Sequence, residues 1–345
     1  MLPWSADLAG RMDRLVIASD RLKDNPLGDP YERPLWVYTP PGYDSDPDRR
    51  YPSIYVIQGY TGQIGMWDNR IAFRQPFPEL ADALFARGEA PPAIVVYVDA
   101  WTKVGGSQYL DSPATGAYSA YLCDEIVSFV DERYRTMAHR DHRGISGKSS
   151  GGYGAMVSAM RRPDVFGGFA THAGDSLFEL AAPPLIANAA RLLRDKHGSS
   201  YANYFAGLPS RVFGTKDGDS QLMEIYAYAA AYSAEPDGTV RVPFDEETGA
   251  IIPEVWERWL ANDPVRMAAE PQYAEALRAQ RAIWIDAGTK DDYYLDLGAT
   301  AFRRAVAAAG VPDDRVYFEL FEATHAAIEY RYPLALAWLS ERLGV

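Results

Sequence analysis

The chain of 345 residues is 48% hydrophobic and 23% charged, a composition that can bury a large core and is typical of a globular protein. Its formal net charge of −13 would repel nucleic acid and anionic membrane surfaces, so we expect neither as a partner. Because the sequence shows no signal-like segment, no 18-residue apolar run and only one cysteine, Cys123, we expect a cytoplasmic protein without an intrachain disulfide.

Short β-rich segments alternate with helical patterns along most of the chain. Strands are predicted at 34–40, 53–59, 93–100, 142–147, 166–174, 282–288 and 316–323. Helices are predicted at 117–134, 151–162 and 297–310 and after the last strand. This alternation is typical of an α/β protein with a doubly wound, mostly parallel sheet, and we predict one domain over residues 1–345.

The alternation breaks between Leu177 and Gln280, where helix-like pieces are separated by the turn-rich stretches "FGTKDGDS" and "VPFDEETG". We interpret residues 177–280 as an inserted, largely helical cap between two core strands. An insertion there should cover the carboxyl ends of the strands, and its aromatic residues should shape the pocket. A structural embellishment or a dimer contact is the alternative. The aromatic residues in question are Tyr201, Tyr204, Phe205 and Trp256.

The stretch "RGISGKSSGGYG", residues 143–154, has two interpretations. A phosphate-binding P-loop would need a glycine five residues before Gly147, and His142 stands there, so that interpretation fails. The tight turn that presents a nucleophilic serine needs small residues two positions before and after it, which Gly147 and Gly151 supply around Ser149. Ser149 is therefore the candidate nucleophile, and a simple Gly/Ser turn is the alternative.

A nucleophilic serine needs a histidine base, and in this architecture the histidine comes last in the chain. His325, in "FEATHAAIEYRYPLALAWL", follows the last predicted strand and is the candidate. His172 comes before the candidate acids in the chain, so it does not fit an order in which the histidine is last. The other histidines are expected to be solvent-exposed, two in a charged turn and one in the cap: His139, His142 and His197.

The acid that orients the base should follow the carboxyl end of a strand. After the strand at 282–288 the chain reads "TKDDYYLD", and we choose Asp291 there. Asp175, after the preceding strand, is the alternative, because some hydrolases of this fold carry the acid one strand earlier. The oxyanion hole needs two backbone N–H groups, which we assign to Ser150 and, after the strand at 53–59, to Tyr60.

These motifs resemble the esterase family of the α/β-hydrolase fold that includes esterase D, feruloyl esterases, enterochelin-esterase-like enzymes and mycolyl transferases. The resemblance covers residues 29–339 and rests on "RPLWVYTPPGYD", "YPSIYVIQGYTG", "GKSSGGYGAM", "RRPDVFGGFATHAGD", "DAGTKDDYYLDLGA" and the histidine stretch. It implies a triad of Ser149, Asp291 and His325, with Tyr60 as an oxyanion donor. The chain departs from the family pattern in three ways. Gln58 stands where the family usually has histidine, the neighbours of the nucleophile are Lys148 and Ser150, and the cap is longer.

We therefore expect a serine carboxylic-ester hydrolase that works through an acyl-enzyme and uses no metal or cofactor. An acyltransferase with the same triad and a non-catalytic hydrolase-fold binding protein are the alternatives. Trp67 and Trp101 fall near the predicted pocket with Asp175, so we expect a small-molecule ester, with aromatic esters among the candidates. The acidic charge disfavours a polyanionic substrate. A homo-oligomer is compatible with the sequence.

Overall fold

An eight-stranded sheet runs through the molecule in the computed structural model, which describes residues 6–210 and 212–344. The spatial order is β1-β2-β4-β3-β5-β6-β7-β8. The first two strands pair antiparallel, β2 is antiparallel to β4, and all other pairs are parallel. The strands are β1 Arg11–Ala18, β2 Glu32–Thr39, β3 Ser53–Ile57, β4 Ile94–Val98, β5 Arg143–Lys148, β6 Gly168–His172, β7 Ala282–Gly288 and β8 Val316–Phe321.

Helices cover both faces of the sheet. The elements before the cap are α1 Phe77–Ala86, α2 Tyr118–Ala120, α3 Val127–Arg133 and α4 Ser150–Arg161. The cap elements are α5 Phe178–His197, α6 Tyr201–Gly207, α7 Asp219–Tyr232, α8 Pro253–Leu260, α9 Pro264–Met267 and α10 Pro271–Arg278. The last two are α11 Leu295–Ala308 and α12 Arg331–Leu343. No helix in these described ranges is long and apolar enough to cross a membrane.

The sheet confirms the predicted α/β class. Every residue of β3 and β4 is buried, as expected for the near-continuous apolar runs of central parallel strands. The strand β1 and helix α1 were not predicted. In β1, "RMDRLVIA", three charged residues precede four apolar ones on a half-exposed edge strand, which is a weaker signal than a continuous apolar run. The predicted helix at 117–134 is interrupted by a π-helical stretch, Tyr121–Ile126.

The cap elements α5 to α10 lie between β6 and β7 in the chain. The start of α5 is held by Asp263, whose carboxylate accepts the N–H groups of Leu177 and Phe178 at 3.0 and 2.9 Å. This carboxylate also caps α9 through the N–H of Val265 at 3.0 Å. One buried side chain therefore joins the first cap helix to a later one, which stabilises the fold of the cap.

The aromatic residues of the cap form a cluster inside it. Tyr201 and Tyr204 are buried, and both rings contact the ring of Phe205, at 6.3 and 5.1 Å between centroids. The expectation that His197 is solvent-exposed is wrong: it is buried, and its ring packs edge-on against Tyr204 at 5.2 Å. Packing within the cap, not solvent, surrounds these rings.

Candidate active site

Ser149 occupies the turn between β5 and α4 in a conformation that few residues adopt, with φ 59° and ψ −127°. The turn is tight because a Cβ on Gly147 would lie 2.4 Å from the backbone of Gly151, and one on Gly151 would lie 2.7 Å from the carbonyl of Ile57. Only glycine fits at those two positions. The local sequence thus forces Ser149 into a strained, half-buried position at the end of a buried strand.

The imidazole of His325 is held by Asp291. Nδ1 of His325 lies 2.7 Å from Oδ2 of Asp291, and Oδ1 of the same carboxylate accepts the N–H of Tyr293 at 2.9 Å. The Asp291 side chain is fully buried, and the His325 side chain is 14% exposed. The Tyr293 ring packs edge-on against the imidazole at 4.9 Å. Because the carboxylate accepts a hydrogen bond from Nδ1–H, the proton of the neutral imidazole stays on Nδ1, and Nε2 is free to act as a base.

Ser149 and His325 line the same cavity, which has a volume of about 750 Å³. Among the described contacts, the two side chains make no hydrogen bond to each other. In unliganded enzymes, hydrogen bonds between catalytic residues often form only when substrate binds. The structure therefore brings the predicted serine and histidine to one cavity, and buried Asp291 holds the histidine through the His–Asp hydrogen bond.

The loop after β3 approaches the nucleophile closely. A Cβ on Gly59 would lie 2.9 Å from the carbonyl of Lys148, and the Tyr60 hydroxyl donates to the carbonyl of Val104 at 3.0 Å. Among the described residues, the N–H groups of Tyr60 and Ser150 donate to no protein acceptor. Both residues therefore carry a free donor near Ser149, as an oxyanion hole needs.

Asp175, the alternative acid, lies on the cavity wall without a hydrogen bond to His325. Its Oδ2 accepts the hydroxyl of Ser150 at 3.1 Å and the amide of Gln108 at 3.3 Å. Burial raises the pKa of this carboxyl. Asp175 therefore contacts Ser150, the residue after the nucleophile, whereas Asp291 contacts the imidazole of His325.

The two predicted pocket tryptophans do not line the cavity. Trp67 is 3% exposed and packs in the core against the rings of Phe77, Tyr97 and Tyr332. Trp101 is half-buried, and its carbonyl accepts the guanidinium of Arg33. Both tryptophans follow strand ends, as predicted, but neither is among the cavity-lining residues. Their positions therefore do not support a role in substrate contact.

Three side chains depart from the family pattern: Gln58, Lys148 and Ser150. Of these, Lys148 and Ser150 lie in the site. Lys148 lines the cavity, and burial lowers the pKa of its ammonium group. Gln58 is 2% exposed and is not among the cavity-lining residues, although its carbonyl accepts the Tyr109 hydroxyl at 2.5 Å. The substitution at Gln58 therefore affects packing beneath the loop rather than the cavity wall.

The cap contributes a wall to the cavity, but through residues other than the predicted aromatic residues Tyr201, Tyr204, Phe205 and Trp256, none of which lines the cavity. Four residues of α7 line the cavity, namely Ser220, Gln221, Glu224 and Tyr228. Burial raises the pKa of Glu224 to about 7, and its Oε1 accepts the Tyr228 hydroxyl at 3.1 Å. Glu224, which is half-buried, is the one charged residue in the run "LMEIYAYAAAY". A single carboxyl in a helical run that is otherwise apolar is the sequence signal that could have identified it.

A second buried histidine–carboxylate pair lies beneath the site. Nδ1 of His172 is 2.7 Å from Oδ1 of Asp286, whose other oxygen accepts Nε of Arg331 at 2.7 Å. The carbonyl of His172 accepts the N–H of Ser149 at 2.9 Å. Burial opposes ionisation of Asp286, but His172, Arg331 and Trp284 together lower its pKa below the usual value. This network joins the nucleophile turn to the start of α12, just after the His325 loop.

The described part of the chain contains no group of three or more His, Cys, Asp or Glu side chains that could hold a metal ion.

Comparisons with known proteins agree on one family. The family model described as "Putative esterase" matches residues 30–310. A curated relative, an endo-1,4-beta-xylanase/feruloyl esterase of Xylanibacter ruminicola, is 27% identical over 134 residues, 38% of this chain and 18% of that protein. The chain matches only 18%, 55% and 60% of the lengths of three curated relatives.

Two solved structures share the fold over nearly the whole chain. A ferulic acid esterase has a TM-score of 0.62 at 19% identity, covering 98% of this chain and 100% of the other. An S-formylglutathione hydrolase from Agrobacterium tumefaciens has a TM-score of 0.58 at 17% identity, covering 99% and 98%. At such identities these similarities establish the shared α/β-hydrolase architecture.

Proposed function

We propose that this chain, which belongs to the "Putative esterase" family of carboxylic ester hydrolases, cleaves a small-molecule ester through an acyl-enzyme on Ser149. The observation that carries the proposal is one cavity that contains both Ser149, at φ 59°, and His325, held by Asp291 at 2.7 Å. A strained serine and an oriented imidazole at one cavity are the parts that nucleophilic catalysis requires.

In the first half of the reaction, Nε2 of His325 takes the proton of the Ser149 hydroxyl as Oγ bonds to the ester carbonyl carbon. The negative charge that forms on the carbonyl oxygen accepts hydrogen bonds from the N–H groups of Tyr60 and Ser150. The bond to the alcohol oxygen then breaks, and the imidazolium returns its proton to the leaving alcohol. Asp291 stabilises the imidazolium while it exists.

In the second half, His325 takes a proton from water, whose oxygen attacks the acyl carbon. The intermediate collapses with release of the carboxylic acid, and the proton on His325 returns to Oγ of Ser149. Each half consumes and returns one proton, so the enzyme needs no other reactant than ester and water.

The cavity supports an ester with an apolar or aromatic part. Its volume of about 750 Å³ is in the range of small-molecule sites, and four tyrosines line it: Tyr60, Tyr228, Tyr293 and Tyr332. The names of the feruloyl and ferulic acid esterases among the similar proteins agree with such a substrate. We therefore place hydroxycinnamate esters among the first compounds to test.

The direct experiment is turnover of p-nitrophenyl and hydroxycinnamate esters by the purified protein, with intact-mass detection of an acyl adduct. Added alcohol shows whether water or the alcohol takes the acyl group, which separates a hydrolase from an acyltransferase. If no ester in the panel is cleaved and no adduct forms, the chain is better explained as a non-catalytic binding protein of this fold.

A further inference from the structure

We propose that the cavity beside Ser149 selects an ester that carries an ammonium cation, through the carboxylates of Asp175 and Glu224. The inference rests on the proposed function, because it names the substrate class of the same cavity. Asp175 lies on the loop after β6 and Glu224 lies on α7, so the core and the cap each supply one carboxylate to the wall.

Hydrogen bonds place both carboxylates near the nucleophile. Ser150, directly after Ser149, donates its hydroxyl to Asp175 at 3.1 Å. Tyr228 donates its hydroxyl to Glu224 at 3.1 Å, and the Ser150 and Tyr228 oxygens lie 3.5 Å apart. The two acids therefore stand at the ends of a short chain of side chains that passes through the neighbour of Ser149. A cation held by them would belong to a substrate bound at the reacting serine.

Neither carboxylate is neutralised by the described part of the protein. Asp175 and Glu224 form no ion pair with a described lysine or arginine, whereas Glu329, the third carboxylate of the cavity wall, is paired with Arg74. The charge interactions of Lys148 are with Glu329, Asp291 and Arg74. His325 is the cationic group of the site that favours the charged form of both acids. Burial of a carboxylate without a counter-ion is costly, and it raises the pKa of both acids. A ligand cation would supply the missing partner.

The rest of the cavity suits a cation as well. Tyr60, Tyr228 and Tyr293 line it, and the rings of Tyr60 and Tyr228 lie 6.0 Å apart. Aromatic faces attract ammonium groups, most strongly where water is excluded. The net charge of −13 adds a long-range attraction for cationic substrates and repels anionic ones.

The test compares two pairs of esters that differ only in charge. For a cation on the alcohol side, butyrylcholine is compared with the ester in which carbon replaces its quaternary nitrogen. For a cation on the acyl side, the p-nitrophenyl ester of ε-aminohexanoic acid is compared with that of heptanoic acid. In at least one pair we expect kcat/KM to be roughly tenfold or more higher for the cationic ester.

The variants Glu224→Gln and Asp175→Asn should bring this ratio towards one. Glu329→Gln is the matched control, since it removes a carboxylate of the same wall that Arg74 already pairs, and it should leave the ratio unchanged. Circular dichroism and fluorophosphonate labelling of Ser149 show whether each variant is folded.

Two results would overturn the inference while leaving the esterase proposal intact: a ratio near one in both pairs, or a preference that survives both variants. Cleavage of none of the four esters, together with no labelling of Ser149, would overturn both proposals.

Discussion

Nδ1 of His325 lies 2.7 Å from Oδ2 of Asp291, a carboxylate whose other oxygen accepts the N–H of Tyr293 at 2.9 Å. The two residues follow β7 and β8, adjacent parallel strands, so their loops emerge at the same edge of the sheet. The bond fixes the imidazole on the cavity that also contains Ser149. The predictions below follow from this arrangement.

The nucleophile assignment predicts site-specific labelling. A fluorophosphonate probe should modify Ser149 with one-to-one stoichiometry, and Ser149→Ala should abolish labelling and lower kcat by about 10⁴ to 10⁶. Ser146→Ala is the control, because this buried serine lies within β5 and is not among the cavity-lining residues. Peptide mapping identifies the modified residue, and stoichiometric modification of Ser150 or Ser146 would refute the assignment.

If Asp291 is the acid that orients His325, the substitutions Asp291→Asn and Asp175→Asn should lower kcat to different extents. Asp291→Asn should lower kcat by a factor on the order of 10⁴, because the amide cannot hold the correct imidazole tautomer. Asp175→Asn should cost much less on neutral esters, since Asp175 contacts Ser150 and Gln108 instead of His325. Steady-state kinetics of both variants on one neutral ester decide the matter, and the opposite ranking would transfer the role to Asp175.

The oxyanion loop can be tested at Gly59, whose added Cβ would lie 2.9 Å from the carbonyl of Lys148 and 3.4 Å from Cβ of Ser149. Gly59→Ala should displace the Tyr60 N–H and lower kcat by roughly 10² to 10³, with KM little changed. Gly207→Ala, in the cap with no atom within 4 Å of the new Cβ, is the control. Wild-type kcat in Gly59→Ala would remove the Tyr60 N–H from the proposed mechanism.

Selection of cations should depend on pH. Burial raises the pKa of Glu224 to about 7, so this group is neutral below that pH and anionic above it. The kcat/KM ratio of the cationic to the neutral ester should therefore rise as the pH increases through about 7. Asp175, His325 and Tyr228 also face Glu224, and dividing by the neutral ester cancels the pH effects that act equally on both substrates. In Glu224→Gln the rise should disappear, and an unchanged rise in that variant would contradict the prediction.

The wall formed by α7 should govern which esters fit. Gln221, an exposed residue of α7, lines the cavity, so Gln221→Trp should reduce kcat/KM for bulky esters more than for acetates while labelling of Ser149 persists. Gln272→Trp, on the exposed surface of α10, is the control. An unchanged order of substrates in Gln221→Trp would exclude this wall from substrate selection. Selectivity would then have to come from the loops after β3 and β4.

Local patterns in the sequence were sufficient for the α/β class, for seven of the eight strands and for the tight turn at Ser149. Each depends on residues close in the chain: continuous apolar runs specify buried parallel strands, and two glycines at fixed spacing specify the turn. The edge strand β1 was not predicted because half-exposed strands carry mixed charged and apolar residues.

Tertiary packing decided which side chains meet. The sequence favoured Asp291 as the partner of His325 but left Asp175 open, because both follow strand ends. The positions of the neighbouring loops give Asp291 the contact. Trp67 also follows a core strand, but its ring turns into the core. Glu224 reaches the cavity only because α7 packs over the strand ends. Contacts between residues far apart in the chain depend on the rotation and placement of whole elements, which local spacing does not specify.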